Sequence, residues 1–226
     1  MVEVPSAVPA VKICGLTRIE DARAAAGAGA DYLGAILSEG FRRSVDPGMA
    51  ARFTQGTDCS LVGVLVDETP SRVAQLGIAT GADLLQLHGE ESPDDLQALR
   101  DLGPWRIWKA VRVRTGEEVG VAIDLYGPVA DGLLLDGWHP EHRGGSGARF
   151  PWDLVTPLRD RIPPSLTVVV AGGLQVSNVA EAVEQLRPDV VDVSSGVEMR
   201  PGIKDASLVR AFIHNARLTQ PQDEDR

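Results

Sequence analysis

The sequence predicts an α/β chain folded as a single (β/α)8 barrel, and three observations predict it. Eight short apolar runs recur roughly 20 to 35 residues apart, the spacing of strands that alternate with helices. The runs are rich in Val, Ile and Leu with little polar alternation, as parallel strands covered on both faces require. Glycine-rich segments fall late, after the sixth, seventh and eighth runs, where barrels commonly carry phosphate sites. The chain of 226 residues is close to the roughly 250 residues of one such barrel. The alternative, an open doubly wound sheet, would carry G-x-G-x-x-G after its first strand. The first run ends instead in Cys14-Gly15-Leu16-Thr17.

The elements follow in order. Val11–Cys14 is the first strand; Thr17 with Glu20 three residues on reads as a capping box for a helix over Asp21–Ala28, stopped near Gly29. Tyr32–Leu37 leads into a loop holding Arg42 and Arg43. Leu61–Val66 precedes a helix over Ser71–Thr80 that ends at Gly81. After Leu84–Leu87, Ser92-Pro93-Asp94-Asp95 supplies an N-cap, a proline at the first position and acids in the first turn. Ile107–Val113 is followed by a weakly patterned helix over Gly116–Asp124, and Leu133–Leu135 by Trp152–Asp160, which contains Pro157. Thr167–Val170 leads to a helix over Ser177–Leu186, and Val190–Val193 to a closing helix over Ala206–Leu218. One domain is expected over residues 1–226, with fraying ends at about 1–9 and 219–226.

Hydrophobic residues at 43% and charged residues at 24% exclude a wholly disordered chain. No apolar run reaches the roughly 18 residues of a membrane-spanning helix. The net charge of −10 argues against nucleic acid as a partner, because an acidic surface repels phosphate backbones. It leaves room for a small phosphorylated ligand held by local backbone dipoles. The two cysteines, Cys14 and Cys59, form no disulfide framework or zinc spacing. Met1–Ala10 has no basic segment followed by an apolar one, so a cytoplasmic, reducing location is expected. Three lysines stand against nineteen arginines, which reads as genome bias.

In a barrel the site lies at the C-terminal strand ends, so polar residues there are the candidates. Cys14 ends the first strand and reads as a nucleophile, a base or a small core residue. Lys12 shares its parity and points inward; a buried lysine needs a partner, and Asp192 on the neighbouring eighth strand is the candidate. A cation there would favour the Cys14 thiolate. Asp136, after three leucines, is either a solvated loop residue or a site acid. Gln86 and His88 share one face, with His88 open to a structural hydrogen bond. His139 and His142 lack a matching carboxylate pattern, so no metal is expected. Three glycine clusters, Gly144-Gly145-Ser146-Gly147, Gly172-Gly173 and Ser195-Gly196, would let backbone N–H groups approach an anion.

Taken together, Lys12-Ile13-Cys14-Gly15-Leu16-Thr17, Gly29-Ala30-Asp31, Gln86-Leu87-His88-Gly89, Leu134-Leu135-Asp136, Gly144-Gly145-Ser146-Gly147, Ala171-Gly172-Gly173-Leu174 and Asp192-Val193-Ser194-Ser195-Gly196-Val197-Glu198 resemble phosphoribosylanthranilate isomerases of tryptophan biosynthesis. The likeness spans roughly residues 11 to 213, in the family's order. It implies an Amadori rearrangement with Cys14 as base and Asp136 as acid, needing no cofactor or metal. It places Arg43, within Phe41-Arg42-Arg43-Ser44-Val45, on the substrate carboxylate or the developing charge, and Gln86, His88 and Asp192 beside the substrate. It assigns the distal phosphate to Gly145, Gly172, Gly173, Ser194, Ser195 and Gly196, and implies a monomer or homodimer. Rival readings are a Schiff-base aldolase using Lys12 or Lys109, and a non-catalytic binder of a phosphate ligand. The related histidine-pathway isomerase would carry an aspartate in place of Cys14.

Overall fold

The computed structural model describes residues 8–137 and 152–218. Expectations for Gly145 and its glycine run, for His139 and His142, and for the two chain ends lie outside the described residues.

Eight parallel strands close into a barrel in sequence order: β1 Ala10–Ile13, β2 Tyr32–Ile36, β3 Ser60–Leu65, β4 Leu84–Leu87, β5 Arg106–Val113, β6 Gly132–Gly137, β7 Thr167–Val170 and β8 Val190–Val193. Closure is made by β1 on β8, with Lys12 opposite Asp192. Among the described residues, seven α-helices accompany them: α1 Ile19–Gly27, α2 Pro47–Ala50, α3 Pro70–Thr80, α4 Pro93–Arg100, α5 Gly116–Tyr126, α6 Val179–Leu186 and α7 Ala206–Arg217.

The pleat sends alternate residues to opposite faces, and so creates two cores. Outward residues such as Ile13, Leu33, Leu85 and Leu133 pack under the helices with Val73, Leu96, Val119 and Phe212. Inward residues fill the barrel: Val62, Val64, Leu84, Trp108, Leu134, Val169 and Val190. Trp108 meets Tyr32 edge-on at 5.2 Å. Gly132 leaves room for this indole, since a Cβ there would lie 2.6 Å from the Trp108 ring. Continuing inward along the same strand faces, the apolar plug gives way to Cys14, Gln86, Asp136 and Asp192.

Local chemistry starts the helices. Ser92 is the N-cap of α4, as expected, and with Asp95 it forms a reciprocal capping box; Thr115 with Glu118 does the same for α5. Gly81, in a left-handed conformation, ends α3. Three departures have physical causes. Thr17 does not cap α1: its hydroxyl donates to the Gly202 carbonyl far along the chain, and Arg18 takes the cap position without a side-chain bond. The stretch expected to be helical over Trp152–Asp160 forms two 3-10 turns, Trp152–Leu154 and Thr156–Arg161. Pro157 has no N–H to give an α-helical bond, and the bonds that do form span three residues, Val155 to Trp152 and Leu158 to Val155. Beyond β8 an antiparallel hairpin, β9 Glu198–Arg200 with β10 Ile203–Lys204, appears where no strand was expected.

Candidate active site

The C-terminal mouth of the barrel holds a cavity of about 370 Å³. Every described residue that the resemblance placed in the site lines it: Cys14, Arg43, Gln86, His88, Asp136, Gly172, Gly173, Asp192, Ser194, Ser195 and Gly196; Lys12 and Lys109 do not.

Cys14 follows β1 directly, its N–H held by the Val193 carbonyl at 2.8 Å. Its thiol is buried against Gly34; a Cβ on that glycine would lie 2.9 Å from the sulfur. Below it, Lys12 is fully buried and meets Asp192 at 2.9 Å, the pairing expected from strand parity. Burial works against the Lys12 ammonium, but Asp192 and Cys14 outweigh it and lift the lysine above its ordinary range. For Cys14 the balance goes the other way. Burial pushes the thiol up, Asp192 adds to that, and the pull of Lys12 and Lys204 does not compensate. The cation expected to favour the thiolate is therefore present, yet desolvation overrides it. The second oxygen of Asp192, Oδ1, is buried on the wall of the cavity without a partner among the described residues.

Across the mouth, Asp136 sits near the end of β6. His88 Nε2 lies 3.1 Å from its Oδ2, and His88 Nδ1 lies 2.8 Å from Gln86 Nε2. Gly172 shapes this acid directly: it adopts φ +79°, and a Cβ there would stand 2.6 Å from Asp136 Oδ1.

Arg43 lies beside the cysteine, while Arg42 is exposed. Its Nε and Nη2 grip Glu198 at 2.8 and 2.7 Å, so two of its three nitrogens are already engaged. Glu198 also meets Lys204 at 2.9 Å, and Lys204 in turn donates to the Ser194 carbonyl at 3.0 Å. Burial alone would raise the Glu198 carboxyl, but Arg43 and Lys204 hold it below the usual range. Burial lowers Lys204 more than Glu198 raises it.

A family model described as N-(5′-phosphoribosyl)anthranilate isomerase matches residues 11–215. The chain belongs to this family. It is thus an isomerase of tryptophan biosynthesis. It is 43% identical over 214 residues to the N-(5′-phosphoribosyl)anthranilate isomerase of Chromohalobacter salexigens, covering 93% of this chain and 95% of that one. The crystal structure of phosphoribosyl anthranilate isomerase from Thermotoga maritima superposes with a TM-score of 0.83 at 35% identity, covering 92% of this chain and 98% of that one. A further family structure, solved in complex with reduced 1-(o-carboxyphenylamino)-1-deoxyribulose 5-phosphate, superposes with a TM-score of 0.80 at 33% identity, covering 92% and 98%.

Sequence reasoning overlooked Lys204 and gave Glu198 no role. Both sit on the β9–β10 hairpin, and no periodicity in the sequence announced that hairpin. The signal available was compositional: Lys204 is one of only three lysines. Lys109, the aldolase candidate, is turned away from this chemistry. Its ammonium donates to Glu91 at 3.0 Å and to the Gly89 and Ala110 carbonyls at 2.7 and 3.1 Å.

Proposed function

We propose that this mouth isomerises N-(5′-phosphoribosyl)anthranilate to 1-(2-carboxyphenylamino)-1-deoxyribulose 5-phosphate, with Asp136 as general acid and Cys14 as general base. The observation that carries the reading is one cavity faced by a carboxyl on β6 and a thiol on β1, strands that are not neighbours in the ring. Asp136 protonates the furanose ring oxygen, and the ring opens to an iminium ion. Cys14 removes the proton from C2, and the resulting enolamine tautomerises to the ketone. Lys12 is the countercharge for the thiolate formed on the way, which makes the base accessible despite its burial.

The remaining contacts follow from charge and shape. The third nitrogen of Arg43, Nη1, meets the anthranilate carboxylate, while Glu198 fixes the guanidinium plane. Asp192 Oδ1, which lacks a partner among the described residues, accepts from a sugar hydroxyl. Gln86 and His88 form the floor under the acid. The backbone at Gly172, Gly173, Ser194, Ser195 and Gly196 takes the distal phosphate, which anchors the substrate away from its reacting carbons. The phosphorylated ligand seen in a family structure supports a phosphate end of this kind. No described helix is long and apolar enough to cross a membrane. We place the protein in the cytoplasm, where Cys14 stays reduced, as a monomer or homodimer.

The test is turnover. Substrate is made in place from anthranilate and phosphoribosyl pyrophosphate by a separate transferase, and its fluorescence is followed. Cys14→Ala and Asp136→Asn should each lower kcat by about 10² to 10⁴ with KM nearly unchanged. A variant that loses affinity while keeping kcat would remove that residue from the chemistry.

A further inference from the structure

We propose that His88 is the positioning residue of the acid: it holds Asp136 through Nε2 and carries the proton Asp136 delivers, with the Gln86 amide turning to match each protonation state. This rests on Asp136 being the general acid.

The hydrogen-bonding capacities fix the starting state. A carboxylate accepts and an amide NH2 donates. With Gln86 Nε2 at 2.8 Å from Nδ1, the ring accepts at Nδ1; its one proton is on Nε2, donated to Asp136 Oδ2 at 3.1 Å. That amide orientation calls for one ring proton, on Nε2. The other end of the amide, Gln86 Oε1, is buried with no partner among the described residues, in a residue 1% exposed. Among those residues the Nε2–Nδ1 contact is the hydrogen bond that sets this orientation. A half-turn about its terminal torsion puts Oε1 against Nδ1. The ring can then carry protons on both nitrogens, one donated to Oε1 and one to Asp136. The same three side chains, without moving their backbones, accommodate both protonation states.

Other charged groups around the ring are occupied. Glu91 is paired with Lys109, Glu90 with Arg112, and Asp67 accepts from the Glu90 N–H. Cys14 and Asp192 line the same cavity, with Asp192 paired to Lys12. Asp136 is the carboxylate that meets the ring. The proton then passes from Nε2 to Oδ2, and from Asp136 to the furanose ring oxygen. His88 is left with its one proton on Nδ1, still donated to Gln86 Oε1, until Nε2 is reprotonated through Asp136; C1 takes back the proton that Cys14 removed from C2. When the enolamine becomes the ketone, the C2 hydroxyl releases a proton. That proton returns to Asp136 and His88, so the pair ends the turnover as it began.

The experiment compares kcat–pH profiles of the full-length wild type, His88→Gln, Gln86→Glu and Gln86→Met, with Asp136→Asn alongside. Glutamine at 88 keeps an N–H for Asp136 but takes up no extra proton. It should lower kcat 10- to 100-fold, leave KM within 3-fold, and move the alkaline limb to lower pH. Gln86→Glu should move that limb to higher pH, and Gln86→Met to lower pH. Nitrogen-15 spectra of the unaltered protein give a readout without turnover: Nδ1 should be the unprotonated nitrogen at high pH and gain a proton as pH falls. If Asp136→Asn is inactive while the other three profiles overlay the wild type, the relay is overturned and the acid stands. If Asp136→Asn keeps its rate, the acid assignment itself falls. A ring protonated at Nδ1 in the high-pH spectrum would also overturn the relay.

Discussion

Cys14, the proposed base, has a thiol that the fold pushes above its ordinary range. Burial raises its proton affinity, and the ammonium of Lys12 sits below as the charge that pulls the other way. Because the base form is the thiolate and the folded value lies above the ordinary 9.0, kcat/KM should still be climbing at that pH. The acid limb should therefore lie in the alkaline range; a limb completed near neutrality would show that substrate-free burial does not govern this thiol. At this scale the sequence was readable wherever strand parity applied. Lys12, Cys14 and Asp192 were grouped correctly because alternate residues of β1 and its neighbour must point into one barrel. Glu198 and Lys204 were not, since their side chains reach the site from a hairpin whose pairing depends on tertiary contacts. The sense of the Cys14 shift was also hidden, because it depends on how much water the folded mouth excludes.

Elements position the site through their ends. The turn after β4 carries His88 and runs straight into Gly89, Glu90 and Glu91. Glu91 is buried, accepts from the Asp67 and Gly89 N–H groups, and pairs with Lys109 of β5. The Tyr126 hydroxyl of α5 closes the knot on the Glu91 carbonyl. This ties three consecutive β/α units behind His88. Lys109→Met should cost about 3 to 5 kcal/mol, because it strands a buried carboxylate. The double variant Lys109→Met with Glu91→Leu should recover much of that in urea denaturation. Equal stabilities of the single and double variants would mean that Glu91 is reached by water. Element starts were legible where the cap is local, as at Ser92 with Asp95. Thr17 had the same local pattern and a different fate, because Gly202 offered its hydroxyl a partner that no local rule contains.

Across the whole molecule the cations divide by residue type. The chain has only three lysines, and Lys12, Lys109 and Lys204 are all buried, each on a carboxylate: Asp192, Glu91 and Glu198. Read as composition, the scarcity looked like genome bias, which does not say which lysines remain. Each of the three is a buried ammonium, a compact charge with three donors, set on a carboxylate. Lys12 lies inside the barrel, Lys109 behind the β4 turn and Lys204 under the β8 loop, so together they report on three sectors of one closed ring. An amine-reactive ester should therefore label the terminal amine of the folded protein and none of its lysines, whereas the urea-unfolded chain should take up three further labels by mass. In a cooperative unfolding the three should become reactive together. Early labelling of Lys204 alone would instead show that the hairpin opens while the barrel stays closed, and would separate the motion of the β9–β10 hairpin from global unfolding.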